Sequence, residues 1–209
     1  SVGLILALPL FVLIPILIKL DSNGSIFFTQ ERVGLNRRRR DRRDYSAGMK
    51  RERRLQDRRQ DNLMGRPFRV IKFRTMVSNA EAKTGAVWAT KNDSRVTRVG
   101  RFLRKTRIDE IPQLINVLRG EMAMVGPRPE RPVFVKELAT KVPEYSTRLD
   151  VKPGITGRAQ VDNGYDTSVE SVMAKVRSDV DYIRTWNVWS DIKIMMKTVG
   201  VVITGKGAC

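Results

Sequence analysis

The chain has 209 residues, 40 Lys+Arg against 22 Asp+Glu and a formal charge of +18. Apolar residues make up 41% of it, enough for a sizeable core and against wholesale disorder. It holds no histidine, and its one cysteine, Cys209, is the last residue. That excludes His-based nucleophilic catalysis, His-ligated and Cys-rich metal sites and a disulfide framework, leaving carboxylates, basic residues and a hard cation to carry any chemistry.

Residues 1–18 (SVGLILALPLFVLIPILI) carry no charge and end at Lys19. A spanning helix needs about 20 apolar residues, and Pro9 and Pro15 each remove a backbone donor and kink or break a helix. A signal peptide is a poor reading, because a basic n-region and a small-residue cleavage site are both missing. Three readings stand: the end of a spanning helix, a broken helix that enters and leaves the membrane on one side, or a buried core helix. Lys19, Arg32 and the arginines from Arg37 to Arg43 place the following segment on the cytoplasmic side.

DSNG (21–24) reads as a turn and SIFFTQ (25–30) as a short strand. Residues 37–60 hold 12 Lys+Arg and four acids, +8 of the total +18, and read as a solvated insertion. The remaining excess still calls for an anionic partner: nucleic acid, a phosphorylated small molecule or an anionic membrane surface. PFRVIKFRTM (67–76) has strand character, and 94–106 suits a helix with Val99, Phe102 and Leu103 on one face. A helix is expected over 109–122, irregular backbone over 126–132, a helix over 131–142, and a Pro/Gly loop entering a strand over 151–161. Two helices, 167–186 and 188–203, close an α/β, helix-rich chain. Neither GxxxxGK[ST] nor GxGxxG occurs.

Asp109-Glu110 is the most informative pair. Pro112 fits a helix only in its first turn, so the helix should start near Asp109, with both carboxylates at the positive end of its dipole. An ionised Asp can be a nucleophile or a metal ligand; the plainer reading makes Asp109 an N-cap and Glu110 a first-turn acid. Arg98, Arg101, Arg104, Lys105 and Arg107 precede the pair, Arg128 lies in GPRP, and Lys72 and Arg74 lie on the expected strand. Carboxylates among guanidinium groups suit a phosphate substrate with bridging Mg²⁺, or else ordinary surface ion pairs. Gly126, Gly154 and Gly157 admit a closely approaching ligand or simple turns. Asp179, Asp181 and Tyr182 are more often solvent-facing than functional. Trp186 and Trp189, with Ile192, Met195, Met196 and Val199, either pack in the core or lie in a membrane interface.

DSNGSIFFTQERVG (21–34), FRVIKFRTM (68–76), RVTRVGRFLRKTRIDEIPQLINVLRGEMAMVGPRPE (95–130), VKPGITGRAQV (151–161) and the segment from 179 to 202 together strongly resemble the bacterial sugar transferases known as monotopic phosphoglycosyl transferases. The resemblance covers nearly the whole chain outside 37–60. It implies transfer of a sugar-1-phosphate from a UDP-sugar to polyprenyl (undecaprenyl) phosphate with release of UMP, initiating exopolysaccharide or related glycoconjugate assembly. The Asp matching Asp109 is implied to form a covalent phosphosugar-enzyme. Glu110, with Asp109 beside it, is implied to hold Mg²⁺. Lys72, Arg104 and Arg128, the last between Pro127 and Pro129, are implied by the resemblance to surround the phosphates, and Asp179 falls where the family has a further site acid.

The resemblance also implies a re-entrant monotopic helix over 1–20, broken near Pro9 and truncated at its N-terminus. A catalytic domain over 21–209 would then sit at the cytoplasmic face of the bacterial inner membrane, with amphipathic interfacial helices, membrane lipid as a partner, no nucleic acid, and room for a homo-oligomer. Leu8 stands where the family often has Ser, and 37–60 replaces a short loop, with anionic head groups one partner for its arginines. Asn163-Gly164-Tyr165 lacks an Arg that some relatives carry, which resembles the exopolysaccharide subgroup. The competing reading is a membrane-anchored basic protein that binds nucleic acid or another polyanion without catalysis. It explains the arginines but needs neither the acidic pair nor GPRPE.

Overall fold

The structure is a computed structural model that describes residues 2–36, 64–80, 93–162 and 169–204. The Arg-rich segment 37–60 and Asn163-Gly164-Tyr165 lie outside the described residues. The chain divides into two compact units. One comprises residues 1–30, 70–120 and 195–209, the other residues 31–69 and 121–194.

In the first unit the apolar N-terminal run forms helix α1 (Val2–Asp21), with Pro9 and Pro15 inside it. Its apolar residues do not share one fate. Ile14 and Ile18, four apart and so on one face, are buried with Phe73 and Leu103, while Leu8, Val12, Leu13, Ile16 and Leu20 are exposed. Burial of the two isoleucines stabilises this docking by about 1.5–3 kcal/mol each. From Leu8 onward, a buried core helix, one of the three readings, is therefore not what forms. No helix among the described residues is long and apolar enough to cross a membrane.

Strand β1 (Phe27–Val33) pairs with β2 (Pro67–Phe73), both close to their expected positions. Phe73, at the end of β2, stacks on Phe27 and meets Phe11 of α1 at a tilt, each with ring centres 5.5 Å apart. The next residue, Arg74, donates to the carbonyls of Ser22 (2.7 Å) and Asn23 (2.6 Å), tying off the end of α1.

Asp21 accepts from the backbone N–H of Val99 at 2.9 Å and so supplies a donor-rich helix start with an acceptor. That start belongs to α2 (Arg98–Lys105), which Thr97 caps through Gly100 N–H. Val99 packs against the cluster and Leu103 is fully buried in it, but Phe102 is 56% exposed. The expected three-residue face is thus a two-residue one, because positions 99 and 103 are one turn apart and 102 lies about 100° off Leu103.

The helix expected over 109–122 is broken into smaller pieces. Arg107 takes a left-handed backbone (φ 58°) that ends α2, a 3-10 turn covers Ile108–Glu110, and α3 runs only from Gln113 to Leu118 with Pro112 as its N-cap.

The second unit contains β3 (Ala123–Val125), α4 (Pro132–Lys141), a 3-10 segment Tyr145–Asp150, β4 (Gly154–Thr156), α5 (Arg158–Asp162) and α6 (Val169–Arg184). Strands β3 and β4 pair in parallel, Ala123 opposite Gly154 and Val125 opposite Thr156. Val135, Leu138, Val142, Tyr145 and Leu149 meet Val172, Val176 and Val180 of α6 in its core. The four-residue steps 172, 176, 180 are the helical stripe that buries α6.

The last helix, α7 (Val188–Thr204), begins in this unit and ends in the first. Asp191 accepts from the Tyr182 hydroxyl (2.6 Å) and from Trp186 Nε1 (3.1 Å), fixing the corner before it. Burial, followed by that contact with Asp191, pushes the Tyr182 phenol up from its ordinary value.

Candidate active site

Asp109 and Glu110 sit in the 3-10 turn of the first unit, each only 7% exposed. Lys72, on β2, donates to Glu110 Oε1 at 2.7 Å. The strand is held in place for this contact by Asn116 of α3, fully buried, whose Oδ1 accepts from the N–H of Ile71 at 3.1 Å. The pair is therefore no surface N-cap: Arg107 starts the turn, Pro112 caps α3, and both carboxylates are in the interior. Arg104, one turn before Arg107 on α2, donates its Nε–H to Thr75 Oγ1 at 2.9 Å. The glycine that allows this is Gly100, where a Cβ would stand 2.1 Å from the carbonyl oxygen of Thr75.

Asp109 and Glu110 also suit a divalent cation. Mg²⁺ takes one or two protein carboxylates and completes its shell with water and substrate phosphate. Among the described residues no three acids, histidines or cysteines converge into a fuller metal cage.

The second unit carries Pro127, Arg128, Pro129 and Asp179. Four successive carbonyls of the GPRPE segment each accept a hydrogen bond. Pro127 O accepts from Gly154 N–H (3.0 Å), Arg128 O from Arg148 Nη2 (3.2 Å), Pro129 O from Arg32 Nη1 (3.0 Å) and Glu130 O from Val33 N–H (2.9 Å). Two prolines in four residues remove half the N–H donors, so the carbonyls are what the fold can grip. Gly126, Gly154 and Gly157 serve the same packing. A Cβ on Gly154 would meet Gly126 N at 2.1 Å, and one on Gly157 would meet Gly126 O at 2.2 Å.

Asp179 is not solvent-facing: it is 1% exposed and accepts from Arg148 Nε at 2.8 Å. Burial raises the Asp179 carboxyl above its ordinary value, with Arg148 pulling back. Burial is the largest single effect on Arg148 and would depress it, but the charges of Asp179, Tyr145 and Glu130 together with the hydrogen bond to Asp179 outweigh it and hold the guanidinium firmly protonated. The aromatic face of Tyr145 lies 5.2 Å below the same guanidinium, and burial pushes its phenol up to about 12. Tyr182 is buried as well, whereas Asp181 is exposed and pairs with Arg158 at 2.5 Å.

The last helix answers the open question about its apolar residues. Among the described side chains of this helix only Ile194 is buried; Val188, Trp189, Ile192, Met195, Met196 and Val199 form an exposed stripe, Trp189 at 78%, and Trp186 just before the helix is exposed as well. The core reading fails for them. Sequence reasoning missed Thr75, Asn116 and Arg148 altogether. Thr75 lies inside the quoted KFRTM motif, and Asn116 is a polar residue in the apolar run QLINVL, a pattern that flags a buried hydrogen bond.

A buried Asp-Glu pair on a 3-10 turn, held under a lysine from a neighbouring strand in an α/β, helix-rich chain, defines the class of site. The chain belongs to the bacterial sugar transferase family, whose model matches residues 1–42 and 51–205. Among its relatives is the UDP-N-acetylgalactosamine-undecaprenyl-phosphate N-acetylgalactosaminephosphotransferase of Aeromonas hydrophila, 39% identical over 96% of this chain and 40% of its own length. The UDP-glucose:undecaprenyl-phosphate glucose-1-phosphate transferase of Caulobacter vibrioides is 38% identical over 96% of this chain and 65% of its own. The Escherichia coli protein of that same name is 37% identical over 98% of this chain and 38% of its own. The chain thus spans from 38% to 65% of the length of these relatives.

Proposed function

We propose that this chain transfers a sugar-1-phosphate from a UDP-sugar to undecaprenyl phosphate, releasing UMP, as an opening step of exopolysaccharide or related glycoconjugate assembly. The observation that carries the reading is the buried Asp109–Glu110 pair with Lys72 on Glu110. The names of the relatives supply the substrate classes.

In the first step an Asp109 carboxylate oxygen attacks the sugar-linked phosphorus. A P–O bond to Asp109 forms as the P–O bond to UMP breaks, and UMP leaves with the electron pair. In the second step a phosphate oxygen of undecaprenyl phosphate attacks the same phosphorus and the bond to Asp109 breaks, regenerating the carboxylate. Lys72, Arg104 and Arg128 are the cations assigned to the phosphate oxygens, where positive charge stabilises the developing negative charge. Pro127 and Pro129 restrict the backbone around Arg128. Asp179 acts through its pair with Arg148. Mg²⁺ is the proposed cofactor, held by Glu110 with Asp109 adjacent; when bound it supplies charge neutralisation of the diphosphate. The remaining lysine and arginine work is orientation and the exclusion of water from Asp109.

The same reading places the chain at the cytoplasmic face of a bacterial inner membrane. Helix α1 would be the re-entrant element, and the exposed stripe of α7 would lie among the lipids. Its support is apolar surface that the described residues leave uncovered on both helices.

The test is UMP release from a panel of UDP-sugars with undecaprenyl phosphate and Mg²⁺ in detergent. One sugar should yield Mg²⁺-dependent UMP and a phosphosugar adduct on the protein, and Asp109→Asn should yield neither. Full activity in Asp109→Asn would overturn the nucleophile assignment.

A further inference from the structure

Among the described residues Arg104 is anchored along one edge only. Its Nε–H goes to Thr75 Oγ1 at 2.9 Å, and neither terminal amino group makes a hydrogen bond or ion pair with another described residue. A guanidinium locked at Nε keeps a pair of parallel N–H donors on its outer edge, the arrangement that grips two phosphate oxygens at once.

Thr75 is built to hold that edge still. It is buried, its carbonyl accepts from the N–H of Thr97 at 3.0 Å, and Gly100 packs directly on its backbone. Thr97 is the N-cap of α2 and Gly100 lies in its first turn, with Arg104 one turn beyond Gly100 on the same helix. The helix is therefore docked on Thr75 at its start and returns a side chain to Thr75 further along. A threonine hydroxyl can accept from Nε and still donate elsewhere, whereas a hydrophobic residue of equal size cannot accept at all.

We infer that Thr75 is a positioning residue for Arg104, fixing its guanidinium so that the two terminal amino groups are presented to a phosphate group of the nucleotide substrate. The inference rests on the reading of Arg104 as a phosphate ligand and adds the residue that orients it. It does not require Thr75 to touch the substrate.

The experiment is titration of the full chain in detergent with UDP, which needs no turnover, alongside steady-state UMP release. Thr75→Val should weaken UDP binding and raise KM for the UDP-sugar by about 10- to 100-fold, the size of one lost hydrogen bond to a charged group. The melting temperature should stay within about 2–4 °C of wild type. Thr75→Ser, which restores the acceptor, should return both values to within about twofold, an outcome that a purely packing role for the methyl group would not give. In an Arg104→Ala background Thr75→Val should have no further effect on UDP affinity.

An equal loss in both backgrounds would overturn the inference, as would unchanged UDP binding in Thr75→Val. Wild-type UDP binding without UMP release would sink the proposed reaction while leaving Thr75 to be decided by the same titrations. No UDP binding in wild type would overturn both.

Discussion

Lys72 and Glu110 lie 38 residues apart in sequence and 2.7 Å apart in space, an ammonium seated on a carboxylate that is itself almost wholly buried. A buried carboxylate that loses its counter-charge is left in a poor solvent. Lys72→Met should therefore lower unfolding free energy by about 1–3 kcal/mol and abolish UMP release, whereas Lys72→Arg should retain most of the stability. Urea unfolding monitored by tryptophan fluorescence reads the first effect and nucleotide release the second.

Asp179→Asn isolates the contribution of charge. The amide can still accept from Arg148, but the guanidinium is left buried without its acid, which should cost about 3–5 kcal/mol. The activity that remains, corrected for folded protein, should fall less than in Asp109→Asn, because Asp179 works through Arg148 and the Arg128 carbonyl. Equal losses in the two variants at full folding would mean that Asp179 takes part in the chemistry itself.

Gly154→Ala should destabilise by about 1–3 kcal/mol, since the new methyl would stand 2.1 Å from the Gly126 nitrogen and β3 and β4 must separate to admit it. Gly200→Ala is the control: nothing lies within 4 Å of a Cβ there. On the helical backbone at that position alanine should be neutral or slightly stabilising, by up to about 1 kcal/mol. Thermal melts of the two variants side by side would check the contrast.

Asp93 governs part of the acid limb. Its side chain accepts from Arg95 Nε (2.8 Å) and Nη2 (2.6 Å), and this ion-paired hydrogen bonding holds its carboxyl down to about 2. A folded-state value below the unfolded one means that the folded state releases this proton more readily. The resulting stability is fully present above the ordinary value of 3.8 and is lost as pH falls towards about 2. Asp93→Asn should flatten the fall in stability between those two values, measured by urea unfolding at stepped pH.

Trp189→Glu on the exposed stripe of α7 should leave the fold intact, because the side chain is 78% exposed. If the stripe lies in lipid, the variant should partition into anionic vesicles about 10- to 100-fold more weakly, the range expected for one large apolar group. Unchanged co-sedimentation with vesicles would remove α7 from the membrane surface.

Much of this chain was legible because local signals agreed. The boundaries of α4, α6 and α7 follow apolar periodicity with Pro132 and the 185–187 break as punctuation, and each falls close to the range expected. The helix expected over 109–122 was not, because Arg107 adopts a left-handed backbone that no residue preference announces. Periodicity likewise showed that 188–203 has an apolar stripe without showing whether anything covers it, and among the described residues the stripe stays exposed.

The sequence by itself determined the chemistry on offer: no histidine, an Asp-Glu pair before Pro112, and an excess of arginine and lysine. Those are properties of composition and short spacing. Tertiary structure alone decided which cation meets which partner. Lys72 takes Glu110, Arg104 takes Thr75 and Arg148 takes Asp179, across gaps of 38, 29 and 31 residues. The reason is physical: a charge can be buried only where packing delivers its partner, and delivery across such distances depends on how whole strands and helices dock.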